Sequence, residues 1–162
     1  MNIVIDYLSN SDYDSLAYKA VEKSLEKYTV TKCENPADIK KTIIEYGQLN
    51  EDTIITIFSH GHEKGLAKET WESLITWCEL LELISKCKGN NMLKLNLLSV
   101  CNSNNIQISA NFCNHQIDEI WVTTSEVMSI SKSLLALNTF SFDDFKEQLE
   151  DEDKELYENL VF

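Results

Sequence analysis

The chain has 162 residues, of which 43% are hydrophobic and 25% are charged, and its formal net charge is −13. Its length and composition are typical of a soluble protein with one buried core, so we expect a single domain over residues 1–162. The negative charge and the scattered basic residues argue against nucleic acid and anionic membrane surfaces as partners, because both require clustered cations.

The N-terminal stretch and the cysteines indicate a cytoplasmic protein. "MNIVIDYL" has no basic segment and reaches Asp6 after a short apolar run, so we expect no targeting leader. No apolar run approaches the roughly 18 residues of a membrane span. The five cysteines are odd in number and follow no framework spacing, which predicts free thiols in a reducing compartment. Cys33, Cys78 and Cys87 are expected to be inert packing residues.

The first part of the chain predicts strand, helix and strand in succession. "NIVIDYL" indicates an N-terminal strand, and a capping pattern at Ser11 opens a helix that runs to about Tyr28. "YTVTKC" indicates a short outer strand.

A second helix and a buried strand follow. Asn35 and Pro36 are typical of the N-cap and first position of a helix that continues to about Tyr46 and ends at Gly47. "TIITIFS" is a continuous β-rich run, which predicts a strand buried on both faces.

The remaining elements continue the alternation. We expect a long helix over Thr70–Lys88 that ends at Gly89, strands at "MLKLNLLSV" and "EIWVTTS", a helix at "ISKSLLALNTF" and a final amphipathic helix over Phe142–Leu160. Nine acidic residues between Asp143 and Glu158 indicate a solvated helix face or a tail that binds a partner. The alternation predicts a three-layer α/β/α sandwich with a largely parallel sheet.

Two reactive side chains follow buried strands of this predicted sheet. His60 follows the strand at 53–59, and Cys101 follows the strand at 93–100. If these strands are parallel neighbours about 5 Å apart, both side chains emerge at one edge of the sheet. A thiol beside an imidazole is suited to nucleophilic catalysis. Gly61 offers an unhindered N–H group, and with the N–H of Cys101 it is expected to form an oxyanion hole.

The motifs around these residues resemble those of a known family. "FSHGHEKGL" and "LLSVCNS" resemble the strand-His-Gly and strand-Cys elements of caspase-like (clan CD) cysteine peptidases. "TWESLITWCELLELI" and "IWVTTSEVMSISKSLLAL" are more similar to the bacterial CHAT branch, and the similarity covers roughly residues 53–140. The resemblance implies a caspase-like fold, His60 as general base and acid, Cys101 as nucleophile, and Gly61 with Cys101 as oxyanion donors. It also implies no cofactor and a regulated defence effector that cleaves a partner protein.

The resemblance also places a substrate cleft. Ser99 occupies the expected pocket position, and Thr124, Ser125 and Glu126 are expected to line the cleft, where an extended peptide adds as a strand. Glu126 and the net charge favour Lys or Arg at the scissile position, with a small or apolar residue as the alternative and an acidic one as the third choice.

Two other functions compete with this hypothesis. Cys113 and His115 are potential zinc ligands together with His60, His62 and Cys101, although their spacing matches no common zinc pattern. The chain is alternatively a catalytically inactive caspase-like interaction module that binds through its acidic C-terminal helix. His62 by itself is expected to be a solvated loop residue.

The segment after Cys101 has two possible structures. "NSNNIQISANFCNHQ" is polar and rich in asparagine, which predicts a mobile active-site loop. The alternative is a short surface helix that contains Ile106, Ile108 and Phe112.

Overall fold

The computed structural model describes residues 1–9, 22–23, 25–68, 73–126 and 130–162. Its strands in chain order are β1 (Asn2–Asp6), β2 (Thr29–Lys32), β3 (Thr53–Phe58), β4 (His60–His62), β5 (Gly65–Ala67), β6 (Ile75–Thr76), β7 (Leu93–Asn96), β8 (Glu119–Thr123) and β9 (Tyr157–Val161). Its helices are α1 (Pro36–Tyr46), α2 (Trp77–Ser85), α3 (Ile106–Phe112), α4 (Ser131–Ala136), α5 (Phe142–Glu147) and α6 (Asp151–Lys154).

Six strands form a mostly parallel sheet in the order β2-β1-β3-β7-β8-β9. All neighbouring pairs are parallel except β8 and β9, which run antiparallel. A separate three-stranded antiparallel sheet, β4-β5-β6, follows β3 directly. The predicted neighbourhood of β3 and β7 is therefore confirmed, and their carboxyl ends share one edge of the large sheet.

Helices cover both faces of the large sheet. Residues of α1, α2 and α3 pack with one set of strand side chains, which includes Ile55 and Leu95. Residues of α4 and α5 pack with the opposite set, which includes Ile54 and Trp121. Every residue of β3 is buried, as expected for a strand between two helical layers. The predicted three-layer α/β/α architecture is confirmed.

Helix α1 begins and ends where the sequence predicts. The Asn35 side chain accepts a hydrogen bond from the Asp38 N–H at 3.0 Å, and Pro36 opens the first turn. Gly47 follows the helix with a φ of 58°, a backbone angle that glycine adopts at little cost.

The long helix predicted over Thr70–Lys88 is wrong in extent. Helix α2 begins at Trp77, because Thr76 and Glu79 form a capping box there and the two residues before Trp77 pair as strand β6 with β5. Residues 69–72 lie outside the described part of the chain. Gly89 does not end the helix but packs against the Leu49 backbone, where a Cβ would lie 2.3 Å from the carbonyl oxygen.

The single C-terminal helix predicted over Phe142–Leu160 is also wrong. That segment forms α5, α6 and strand β9, whose residues pair antiparallel with all five residues of β8. Pairing provides hydrogen bonds for the outer backbone groups of β8, and this gain outweighs the helical periodicity of the segment. The helix at "ISKSLLALNTF" is confirmed as α4, whereas most of the helix predicted from Ser11 lies outside the described residues.

In the parts of the chain that the structure describes, no helix has the length and apolar composition needed to cross a bilayer.

Candidate active site

The candidate site lies at the carboxyl edge of β3 and β7. Strand β7 ends at Asn96, four residues earlier than predicted, and residues 97–100 form a turn in which the Val100 N–H donates to the Leu97 carbonyl at 3.0 Å. The buried Asn96 side chain starts this turn, because its amide oxygen accepts from the Leu98 N–H at 3.1 Å. Cys101 therefore follows a hydrogen-bonded turn and not the strand itself.

The structure brings the His60–Gly61 segment against Cys101. A Cβ placed on Gly61 would lie 1.9 Å from the carbonyl oxygen of Cys101 and 3.0 Å from its amide nitrogen. Only a glycine allows this approach of two backbones. His60 is exposed and Cys101 is partly exposed, so solvent and a substrate have access to both residues.

The backbone directly after Cys101 takes an unusual conformation. Asn102 has a φ of 49°, in the left-handed region, where asparagine is tolerated better than most residues. Its N–H donates to the Ser125 carbonyl at 2.9 Å, which ties the turn to the end of β8.

Ser103 provides a second tie between the same two segments. Its buried hydroxyl donates to the Leu97 carbonyl at 3.0 Å and accepts from the Thr123 N–H at 2.9 Å. Neither Asn102 nor Ser103 was predicted from the sequence to have a role at the site. Asparagine next to a candidate nucleophile was a usable signal for Asn102, but no sequence pattern indicated the partners of Ser103.

His60 belongs to the three-stranded antiparallel sheet β4-β5-β6. The buried Ser59 hydroxyl donates to the carbonyl groups of His60 and Ala67, each at 3.0 Å, and thereby closes β4 onto β5. Trp77 supports the turn between these strands, since its backbone N–H donates to Lys64 and its indole N–H to Glu63, each at 3.0 Å.

His62 is part of that hairpin and is not a fully solvated loop residue. It lies in β4, is partly buried, and its Nδ1 accepts from the Lys64 N–H at 3.1 Å. This hydrogen bond stabilises the turn that follows His62.

The predicted substrate-binding residues have different environments. Ser99 is only 5% exposed, and within the described residues its hydroxyl has no hydrogen-bond partner. Thr124 and Ser125 are partly buried, and the Thr124 N–H already donates to the Leu156 carbonyl at 2.9 Å. Glu126 is exposed, and residues 127–129 after it lie outside the described part of the chain.

The helix alternative for the segment after Cys101 is confirmed, and the loop conformation predicted first is wrong. Ser103–Asn105 forms a 3₁₀ turn that continues into α3. Within α3, Ile106 is fully buried, whereas Ile108 is 67% and Phe112 is 85% exposed. The apolar anchor at Ile106 orders a segment that the polar composition alone did not predict to be helical.

The prediction of five free thiols is wrong for one pair. Cys78 of α2 and Cys113, directly after α3, form a disulfide with a Cα–Cα distance of 5.8 Å. Cys33 and Cys87 are free and buried, and burial raises the pKa of both thiols. Cys101 is the free cysteine with an accessible side chain.

The disulfide also bears on the zinc hypothesis. Cys113 is bonded to Cys78, and the His115 ring contacts the Ala110 carbonyl at 3.2 Å and stacks edge-on against Phe162. Among the described residues, no group of three or more His, Cys, Asp or Glu side chains is arranged to hold a metal ion.

Comparisons with known proteins identify no family. No family model matches the chain, and no curated protein matches it. Among solved structures, it is similar to a high-resolution structure of SPT with a PLP internal aldimine, at 12% identity and a TM-score of 0.35. That match covers 77% of this chain and 29% of the other, and so weak a likeness carries no functional argument.

Proposed function

We propose that this chain is a cysteine endopeptidase in which His60 and Cys101 form the catalytic dyad. The observation that supports this most is the contact between the backbones of Gly61 and Cys101. Since His60 directly precedes Gly61, the imidazole and the thiol belong to neighbouring segments, which supports the proposed dyad. The resemblance to caspase-like peptidases adds to this support.

In the proposed mechanism, His60 accepts the proton of the Cys101 thiol as the sulfur attacks the scissile carbonyl carbon. The N–H groups of Gly61 and Cys101 donate to the oxyanion that forms, because both lie on the two backbones in contact. His60 then gives its proton to the leaving amine, and an acyl-enzyme remains on the sulfur. Water, deprotonated by His60, releases the acid product and restores the thiol.

The substrate in this proposal is a protein or peptide. Ser99, close to the nucleophile in sequence, provides a buried hydroxyl with no hydrogen-bond partner among the described residues, and the exposed Glu126 provides negative charge beside the proposed cleft. The charge of Glu126 suits a Lys or Arg side chain at the scissile position, whereas the uncharged Ser99 at the expected pocket position argues against a strong basic preference. As a regulated defence effector in the cytoplasm, the protein would need no cofactor and would act on a partner protein.

An alkylating probe tests the nucleophile. We expect iodoacetamide to modify Cys101 in the full-length folded protein and to leave Cys33 and Cys87, both at most 1% exposed, unmodified. Peptide mapping by mass spectrometry gives the modified site, and Cys101→Ala is the matched control. Equal modification of all three thiols would contradict an activated Cys101.

Protein cleavage tests the function itself. Expression of the wild type and of Cys101→Ala, followed by proteome-wide identification of new N-termini, should give cleavages that occur with the wild type alone. If the two proteins give the same termini, the proposal is wrong and a catalytically inactive interaction module is favoured. Bound zinc, measured by emission spectroscopy, would instead favour the metal hypothesis.

A further inference from the structure

The disulfide lies at the surface, unlike the two buried thiols. Cys78 and Cys113 are both partly exposed, and their neighbours Glu79 and Asn114 are exposed. Cys33 and Cys87 are at most 1% exposed. A small thiol in solution therefore has access to the Cys78–Cys113 bond but not to Cys33 or Cys87.

One end of the disulfide is attached to the histidine hairpin. Cys78 directly follows Trp77, which is 1% exposed and therefore held firmly in the core. Trp77 donates two hydrogen bonds to carbonyl groups of Glu63 and Lys64, in the turn that joins β4 to β5. Movement of Cys78 therefore moves the base of the strand that carries His60.

The other end is attached to the nucleophile segment. Cys113 directly follows α3, which begins five residues after Cys101 at Ile106, and the Cys113 N–H donates to the Ser109 carbonyl at 2.8 Å. Only Ile106 and Ala110 of this helix are buried. Because a helix of this length is marginal by itself, we expect the disulfide to contribute to holding α3 in place.

We propose that the Cys78–Cys113 disulfide is a redox control point, which aligns the His60 hairpin with the Cys101 segment when oxidised and releases α3 when reduced. The inference rests on the proposed peptidase function and adds its regulation. The reductant is a low-molecular-weight thiol of the glutathione class. Its thiolate attacks one sulfur and forms a mixed disulfide, and the displaced cysteine takes up a proton. A second thiol then releases the other cysteine, so two electrons pass to the protein and one glutathione disulfide forms.

Hydrogen exchange measures the release of α3 independently of activity. The full-length Cys101→Ala protein is compared in glutathione and in glutathione disulfide by mass spectrometry. On reduction we expect exchange to rise about tenfold in residues 102–113 and in residues 60–67, with no change in β1 and β3. The matched control, Cys78→Ser with Cys113→Ser in the same background, should show the fast exchange in both conditions.

Peptide cleavage then measures the coupling to the site. The oxidised wild type and the Cys78→Ser/Cys113→Ser protein are both assayed after desalting, so that no small thiol reacts with Cys101. We expect the double variant to be slower in kcat/KM by roughly tenfold, because a loosened dyad loses alignment.

The outcomes separate the two proposals. Unchanged exchange after mass spectrometry has shown the disulfide to be reduced would overturn the inference. So would faster exchange throughout β1 and β3, since the bond would then only hold the whole fold together. Equal kcat/KM in an active wild type and double variant would overturn it as well. If α3 is released as expected but neither protein cleaves any peptide, control of α3 by the disulfide is supported and the proposed peptidase function is wrong.

Discussion

Polar groups lie at the amino ends and at the carboxyl ends of strands β7 and β8. The two sets of ends differ in which groups form their hydrogen bonds. At the amino ends, the Lys94 Nζ donates to the Phe140 carbonyl at 2.6 Å and pairs with Glu119 at 3.1 Å. The Phe140 ring centroid lies 4.5 Å from the Lys94 Nζ, and Trp121 donates its indole N–H to Glu119 at 3.0 Å. Lys94 is buried, Glu119 is partly buried, and both side chains are hydrogen-bonded.

At the carboxyl ends, small residues and backbone groups position the turn that carries Cys101. One hydrogen bond joins Ser103 to Thr123 of β8, and one joins Asn102 to Ser125 directly after β8, each at 2.9 Å. Gly61 leaves room for the Cys101 backbone. The reactive side chains stay accessible, since His60 is exposed and Cys101 is partly exposed. We therefore expect the amino end to serve stability and, under the proposed function, the carboxyl end to serve chemistry.

The largest effect is expected at the carboxyl end. Cys101→Ala and His60→Ala should each lower kcat/KM by at least about 10³-fold, and the double variant should be no slower than the slower single variant, since the two residues act as a unit. The urea midpoint should change little, because both side chains are accessible. Peptide cleavage and urea unfolding measure the two quantities. Substantial cleavage by Cys101→Ala would exclude the proposed mechanism.

At the amino end, a substitution should lower stability and leave activity unchanged. Lys94→Met leaves the partly buried Glu119 without its cation, which should lower the free energy of unfolding by about 3 kcal/mol while kcat/KM of the folded protein is kept. The control Lys41→Met removes an exposed pair with Glu45 and should cost less than about 0.5 kcal/mol. Urea unfolding at pH 7 checks both values. A loss of activity in folded Lys94→Met would contradict the division between the two ends.

Acidification provides a second test of the same pair. Burial opposes ionisation of Glu119, but hydrogen bonds from Trp121, Lys94 and Asn159 and the charge of Lys94 outweigh it and hold the pKa below its ordinary value of 4.5. The resulting stability is present above pH 4.5 and is lost as the pH falls through the depressed pKa of the folded state. The difference in urea midpoint between wild type and Lys94→Met should therefore shrink below that pH. A difference that stays constant from pH 7 to pH 3 would contradict this origin.

A smaller effect is expected where the two segments of the site touch. Gly61→Ala adds a Cβ that meets the Cys101 carbonyl, so the backbones must separate, at a cost of about 2 kcal/mol and a marked fall in kcat/KM. Gly47→Ala is a useful control, because its Cβ meets no atom within 4 Å and its φ of 58° alone should cost about 1 kcal/mol without any effect on activity. Equal activity in the two variants would show that the contact does not position the dyad.

The sequence predicts the parts of the fold that depend on local patterns. The caps of α1, the buried strand β3 and the pairing of β3 with β7 follow from Asn35, Pro36 and a continuous β-rich run. The C-terminal strand β9 was missed because its formation depends on an open edge of β8, which is distant in sequence. The helical spacing of the same segment gave no sign of that partner.

The candidate site shows the same limit. His60, Gly61 and Cys101 were predictable because each stands at the end of an apolar run, and the structure brings their segments together. The Cys78–Cys113 bond was not predictable, because the two cysteines are 35 residues apart and meet only when α2 packs against α3. Ser103 likewise acquires its role from carbonyl and N–H groups of other segments.

The smallest expected effect concerns substrate choice at the exposed rim of the site. Glu126→Gln should lower kcat/KM for a tetrapeptide with Lys at the scissile position by about two- to threefold, and leave a Leu tetrapeptide unaffected, because an exposed carboxylate attracts a cation only weakly. The difference should vanish at about 1 M salt, where the screening length is near 3 Å. Glu45→Gln, which changes the net charge equally on distant α1, is the control for the general field of the protein. An equal loss in both variants would assign the preference to net charge, and preferential cleavage after Asp would show that the pocket lies elsewhere.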